Sequence, residues 1–269
     1  MRTGRSPADQ LIDVETGRAD MVSLEATDAR RMEQRQLRID RSRPLELVML
    51  VFEPQLATAA NDAIRRTLAA AVDRNAIARV VMQGYAEAAT MLLPSSVNGH
   101  DASGFAKTGE PLPRSAVAAL PPGRRSLALR VSATDAVAQA IAQRVAVNAR
   151  DAGFTVTVQA PAGLGPRFDM RVLRVRFRPD TPATALSDII GGLGPRMTAL
   201  AGPVTPPDAG SSVETVQLAE RALLARDVLV PIVHIPELYA FSTRSQSWNG
   251  PAVLPSGAWN LADVWLNAP

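Results

Sequence analysis

The sequence predicts an α/β fold, and three observations carry that expectation. SLALRV, a helical run from Val137 to Asn148, and FTVTV form a strand–helix–strand unit with short links, so its two strands are expected to run parallel. LELVMLVF (45–52) and VLVPIVHI (228–235) are continuous apolar runs bounded by turn residues, the pattern of strands buried on both faces. Between them, RRTLAAAVDRNAIARVVMQGY (65–85) continues a run of apolar residues at helical spacing.

Taken in order, residues 7–21 read as a helix with Leu11, Ile12 and Val14 apolar, ending near Gly17-Arg18-Ala19-Asp20. MVSL is a short strand, and 27–36 a charged, exposed helix. LRID and the buried LELVMLVF follow. Ile64, Leu68 and Val72 mark a helix. Asp73 offers a carboxylate to the free amides of a new turn and so caps a second helix. Ile77, Val80 and Val81 form that helix's apolar face, and Gly84 supplies the left-handed residue that ends it. Residues 101–124 are rich in Pro, Gly and Ser and read as a surface loop. Thr134 or Asp135 caps the helix of the strand–helix–strand unit, and Gly153 ends it. FDMRVLRVRF (168–177) is a strand, PATALSDII a short helix and 191–210 a second Pro/Gly loop. Ser211-Ser212-Val213-Glu214 is a capping box opening a helix over 212–226. VLVPIVHI is the last buried strand, followed by an aromatic tail.

At 269 residues the chain suits one large domain or two ordinary ones. Its 46% apolar content supports a core, and with 4% aromatics that core must be mostly Ala, Val, Leu and Ile. The absence of Cys excludes disulfides, thiolate nucleophiles and cysteine metal sites. The pI of about 10.1 accompanies a net charge of only +3, because Lys107 is the single lysine and arginine stays charged. Basic and acidic residues are interspersed with no polybasic block, which argues against nucleic-acid binding. MRTGRSPADQ has no apolar segment of a secretory leader after it, and LELVMLVF is too short to span a bilayer.

Catalytic patterns are missing. His100 and His234 are far apart and in no ligand spacing. His234, in an apolar strand, reads as a core or cleft histidine. No GxSxG is present. GGLGPR (191–196) lacks a following GK[ST], and Pro195 interrupts a helix start, so it reads as a loop rather than a phosphate cradle. Tyr239, Trp248, Trp259 and Trp265 group near the C-terminus of an aromatic-poor chain. Aromatics in a cleft stack on ligands at low entropic cost. Trp259 and Trp265 read as cover for the core, while Tyr239 and Trp248 stand as cleft candidates.

RRTLAAAVDRNAIARVVMQGYAEAATMLLP resembles the signature region of family 5 extracellular solute-binding proteins, the peptide/nickel-binding receptors of ABC importers. LIDVETGRADMV, LELVMLVFEP, AQAIAQRVAVNARDAGFTVTV, RFDMRVLRVRFRPDTPATAL, VLVPIVHIPELYAF and WNLADVWL resemble further family segments in the same order. The resemblance implies a periplasmic-binding-protein-like type II lobe with a mixed sheet and flanking helices, and a ligand held between closing lobes. Family members are roughly twice this length, so most of the N-terminal lobe is expected to be lacking. Residues 1–44 would be a remnant of the first lobe, 45–235 the C-terminal lobe, and 236–269 a segment returning toward the first lobe. The family's peptide-amine aspartate falls at or near Arg178, with Asp180 the nearest carboxylate. An arginine there favours an anion over an ammonium.

The resemblance implies a non-catalytic, peptide-type solute-binding component, periplasmic or extracellular. Its partners would be a peptide or other small solute and the ABC permease subunits, with no nucleic acid, no membrane insertion, no cofactor and no metal. Arg178, Asp180, Tyr239 and Trp248 are the candidate ligand contacts. The alternatives are a cytoplasmic ligand-sensing domain of a transcriptional regulator and a truncated lobe acting as a protein-interaction module. A divergent enzyme is a further reading.

Overall fold

The computed structural model describes residues 5–53, 55–56, 58–97, 109–160, 167–202 and 204–245, with Leu254 and Asn260. The elements in order are α1 (Pro7–Glu15), β1 (Met21–Leu24), α2 (Ala26–Gln34), β2 (Arg38–Phe52), α3 (Asp62–Ala71) and α4 (Arg74–Ala76), which runs into a π-helical turn, Ile77–Val81. Then come β3 (Glu87–Ala88), α5 (Arg114–Ala118), α6 (Pro122–Arg125), β4 (Ser126–Arg130), α7 (Ala136–Asp151), β5 (Thr155–Gln159) and β6 (Met170–Arg176). The last are α8 (Pro182–Leu193), α9 (Pro195–Ala201), α10 (Val213–Leu224) and β7 (Leu229–Phe241).

Among the described residues one mixed sheet of seven strands has the order β1-β7-β2-β6-β4-β5, with β3 also on β7. The β4–β5 and β4–β6 pairs are parallel and the others antiparallel. Strand β2 explains why LVMLVF (47–52) is apolar throughout. Val48, Leu50 and Phe52 enter one core with Ile64, Leu68, Ile141 and Val145. Leu47, Met49 and Val51 enter a second with Leu186, Ile189, Met197 and Leu223. Alternate residues of a strand face opposite sides, so a strand between two helical layers needs apolar residues at every position. Each such fully buried side chain contributes about 1.5–3 kcal/mol.

LRID and LELVMLVF are one strand, and the last strand runs on through Pro236 to Phe241. Proline removes a ladder donor, so long strands containing it need bulges. The β2–β7 register shifts on both sides of Pro44, which faces Pro236, and again between Val48 and Met49, where Pro231 faces Met49.

The strand–helix–strand unit is as expected, with parallel strands. Asp135, not Thr134, caps α7 by accepting from the Ala138 amide at 2.9 Å, and Gly153 closes it at φ +94°. Asp73 caps α4, its Oδ1 2.8 Å from the Ala76 amide, and Gly84 has φ +86°.

Several elements differ from expectation. Helix α1 stops at Glu15, with Gly17 at φ +70°. Helix α2 is not wholly exposed, because Ala26, Ala29 and Met32 are buried along one stripe between its charges. Val80 is 73% exposed rather than in the apolar face. The π turn, closed by the Met82 amide on the Ile77 carbonyl, carries an extra residue and rotates Val80 outward. Within the described part of 101–124, α5 and α6 replace the loop. PATALSDII extends through both glycines to Leu193, and Pro195 then opens α9 instead of blocking it. Proline suits the first helical position, where no amide is needed. Ser212 rather than Ser211 caps α10, accepting from the Thr215 amide, while Ser211 donates to Asp208. No helix among the described residues is long and apolar enough to cross a membrane.

Candidate functional site

On one face of the sheet the apolar alternation ends in charge. Strand β6 turns Met170 and Val172 into the first core, then places Arg174 and Arg176 at the next two positions on that side. Strand β2 does the same in reverse, with Phe52, Leu50 and Val48 followed by Glu46.

Arg174 is the centre of this band. Its Nε and Nη2 donate to Glu46 Oε2 at 3.1 and 2.6 Å, and its Nη1 to Asp135 Oδ1 at 3.2 Å. Glu25, at the start of α2, stands 4.0 Å from Nη2. One guanidinium thus serves carboxylates from three separate elements, and Asp135 is at the same time the cap of α7. Burial opposes the charge on Arg174, but Glu46, Asp135 and Glu25 together hold its pKa above the ordinary arginine value. Burial pushes Glu25 upward; Arg174 opposes this, and Glu46, Asp135 and Asp28 reinforce it.

A second cluster lies at the end of β6. Arg176 pairs with Glu237. Tyr239 donates its hydroxyl to the other carboxylate oxygen of Glu237, and the Glu237 amide donates to Ser42 Oγ at 2.9 Å. Burial, then the Glu237 carboxylate, raises the Tyr239 pKa.

The expected contacts therefore separate. Tyr239 is 2% exposed within β7, bound to Glu237. Arg178 is exposed on the turn after β6, where its amide, Nε and Nη2 all donate to Asp188 at 2.8–2.9 Å. Asp188 raises the Arg178 pKa, and Asp180, also exposed, adds to it. Arg178 and Asp180 thus sit with Asp188, apart from the Arg174 cluster. Trp248 lies outside the described residues, as do Trp259, Trp265 and His100. The sequence reading does not single out Arg174, Glu46, Arg176 or Glu237, and names Asp135 only as a helix cap. The sign was there: in RVLRVRF and LELVML, charge occupies positions where alternation calls for a core residue.

His234 is a core histidine. It is buried in β7, its Nε2 is 3.0 Å from the Leu92 carbonyl, and its ring meets Phe177 edge-on. Glu220 grips the same segment from α10, accepting from the Leu92 and Leu93 amides at 2.6 and 2.9 Å. GGLGPR serves packing. A Cβ on Gly192 would lie 2.5 Å from Val175, and Gly194 takes φ +78° between α8 and α9. Among the described residues no group of three His, Cys, Asp or Glu could hold a metal. A depression of about 440 Å³ lies beside Glu33, Gln36, Leu37, Arg38 and Ile39, on the segment joining α2 to β2.

Residues 1–189 match the family model described as bacterial extracellular solute-binding proteins, family 5 Middle. The chain belongs to this family. A comparison with curated protein sequences returned no match.

Solved structures share the family 5 fold. The ABC transporter substrate binding protein CtaP from Listeria monocytogenes is 14% identical, with a TM-score of 0.73, over 99% of this chain and 60% of its own. NikA from Brucella suis, solved with Fe(III)-EDTA, is 17% identical at TM-score 0.69, over 91% of this chain and 57% of its own. A dipeptide binding protein from a Pseudoalteromonas species, solved with Met-Leu, is 17% identical at TM-score 0.68, over 97% and 57%. This family 5 chain thus spans about three-fifths of the length of these structures.

Proposed function

We propose that this chain is the solute-binding component of an ABC import system, non-catalytic, periplasmic or extracellular, with a peptide-type ligand held in a cleft between lobes. The observation that carries the reading is the Arg174 band. In a family 5 fold, a core that ends in half-buried Arg174, Glu46, Asp135 and Glu237, with Glu25 and Arg176 exposed beside them, offers a polar ligand both charges of a zwitterion. Arg174 and Arg176 suit a carboxylate, and the Glu25 and Glu237 carboxylates suit an ammonium.

Arg178, Asp180, Tyr239 and Trp248 remain proposed contacts, with the ABC permease subunits as protein partners. We assign residues 1–44 and 236–269 to the first-lobe side and 45–235 to the second. Both boundaries then meet at the Pro44–Pro236 crossing of β2 and β7.

The test is thermal shift against di- to pentapeptides, amino acids, nickel chelates and small oligosaccharides. A ligand that binds only the folded state raises the melting temperature. A zwitterionic peptide should give the shift, and Arg174→Met should abolish it. A panel without any shift, or a shift untouched by Arg174→Met, would overturn the reading.

A further inference from the structure

The charges of the Arg174 band do not balance. Glu25, Glu46, Asp135 and Glu237 stand against Arg174 and Arg176, which leaves a formal charge of −2. Nor are the four carboxylates equally engaged. Glu237 spends both oxygens, one on Arg176 and one on the Tyr239 hydroxyl. Glu46 spends Oε2 on Arg174, and Asp135 spends Oδ1 on Arg174 and on the Ala138 amide. The second oxygen of each accepts no hydrogen bond among the described residues, and both side chains are 22% exposed.

Glu25 differs from the other three. It holds the N-cap position of α2, where a short polar side chain accepts from the first free amides, yet its carboxylate makes no capping bond. Among the described residues that carboxylate accepts no other hydrogen bond either. Its 4.0 Å to Arg174 Nη2 is too long for one, and Arg174 already donates to Glu46 and Asp135. The Glu25 side chain is 51% exposed, so it meets solvent. Burial opposes its charge, Arg174 favours it, and Glu46, Asp135 and Asp28 repel it.

We infer that Glu25 determines the specificity of the cleft, and that the solute it selects is net positive: a peptide with a lysine or arginine side chain rather than a plain zwitterion. The inference rests on reading the Arg174 band as the solute site. A zwitterion leaves the charge of the band where it was, and an acidic peptide adds to it. A cationic side chain seated at Glu25 reduces it, and donates a charge-assisted hydrogen bond to a carboxylate that has none. The same contact relieves the repulsion that Glu46, Asp135 and Asp28 exert on Glu25. Glu46 and Asp135 are half-buried, so salt and water screen their pull on the cation less than they would on open surface. Arg176, 57% exposed, remains for the carboxylate of the peptide.

The test is calorimetric titration of the full chain with the tripeptides Ala-Lys-Ala, Ala-Gln-Ala and Ala-Glu-Ala, which differ little in size and carry a net positive, zero and net negative charge. The wild type should bind the lysine peptide about tenfold more tightly than the glutamine peptide, and the glutamate peptide weakest. Glu25→Gln should bring the lysine-to-glutamine ratio down toward one, and Glu25→Asp should keep part of it, a pattern that a merely structural role would not give. The wild-type series decides even where a variant fails to fold. If the glutamine or glutamate peptide binds as tightly as the lysine peptide, and Arg174→Met abolishes that binding, the inference is overturned while the solute site stands. A lysine preference undiminished in folded Glu25→Gln also overturns it. Binding of none of the three overturns the inference together with the reading of the band as a peptide site.

Discussion

Arg74 Nε donates to the carbonyl oxygen of Pro231 at 2.8 Å, so the residue after the Asp73 cap ties that turn to the central strand β7. Its Nη1 also reaches the Ala69 and Val72 carbonyls at 3.1 and 3.3 Å. The two neighbours divide the work. Asp73 satisfies an amide of the next turn, and Arg74 satisfies carbonyls at the end of α3 and in the sheet. Arg74→Met should destabilise the fold by about 1–3 kcal/mol through the carbonyls left unpaired. Asp73→Ala should cost about 1 kcal/mol through the lost cap. Urea midpoints of the two variants check both.

Adjacent glycines of α8 should respond with opposite signs. A Cβ on Gly191 meets open space, so Gly191→Ala should stabilise by about 0.5–1 kcal/mol through helix propensity. Gly192→Ala would press into Val175 and should destabilise by about 1–3 kcal/mol. Thermal melts of the two variants separate the effects, and equal shifts would contradict the packing.

Glu220 should make stability fall as pH rises from weakly acid to neutral. Burial pushes its carboxyl from 4.5 to about 7, although the Leu93 and Leu92 amides and the nearby Arg221 oppose this. The folded state therefore holds a proton that the unfolded state releases at lower pH. Stability from this group is fully present below the unfolded value and is lost as pH climbs through about 7. The loss is on the order of 3 kcal/mol. Glu220→Gln keeps an oxygen for the two amides, so it should flatten this part of the stability profile, measured by urea unfolding from pH 4 to 8.

The Arg178–Asp188 pair should behave otherwise. Arg178 is largely solvent-exposed, and Arg178 holds the Asp188 carboxyl below its ordinary value. Any stability from Asp188 is present above its unfolded pKa and lost as pH falls through the depressed folded one. Asp188→Asn should shift the unfolding midpoint only slightly, and less at high salt. A large, salt-independent loss would give the pair a structural weight that its exposure denies.

The sequence made the strand–helix–strand unit legible because Asp135, Gly153 and the alternation of SLALRV act locally. The buried strands were legible as apolar runs, but their lengths were not. Pro236 reads as a stop, and only the facing bulge at Pro44 lets β7 pass through it. Val80 was misplaced because a π turn changes the helical period without altering composition. GGLGPR looked like a loop because Gly192 answers to Val175, which is distant in sequence. The Arg174 cluster was hidden for the same reason, since Glu25, Glu46 and Asp135 meet it only in three dimensions.

Pro44 and Pro236 face each other across β2 and β7 with no amide hydrogen on either side. At that level the two longest strands share a gap in their ladder. Twisting one half of the strand pair against the other there stretches no hydrogen bond between these two residues. Beside that gap the Ser42 hydroxyl accepts from the Glu237 amide at 2.9 Å, so a side chain supplies the cross-strand tie that the two prolines cannot.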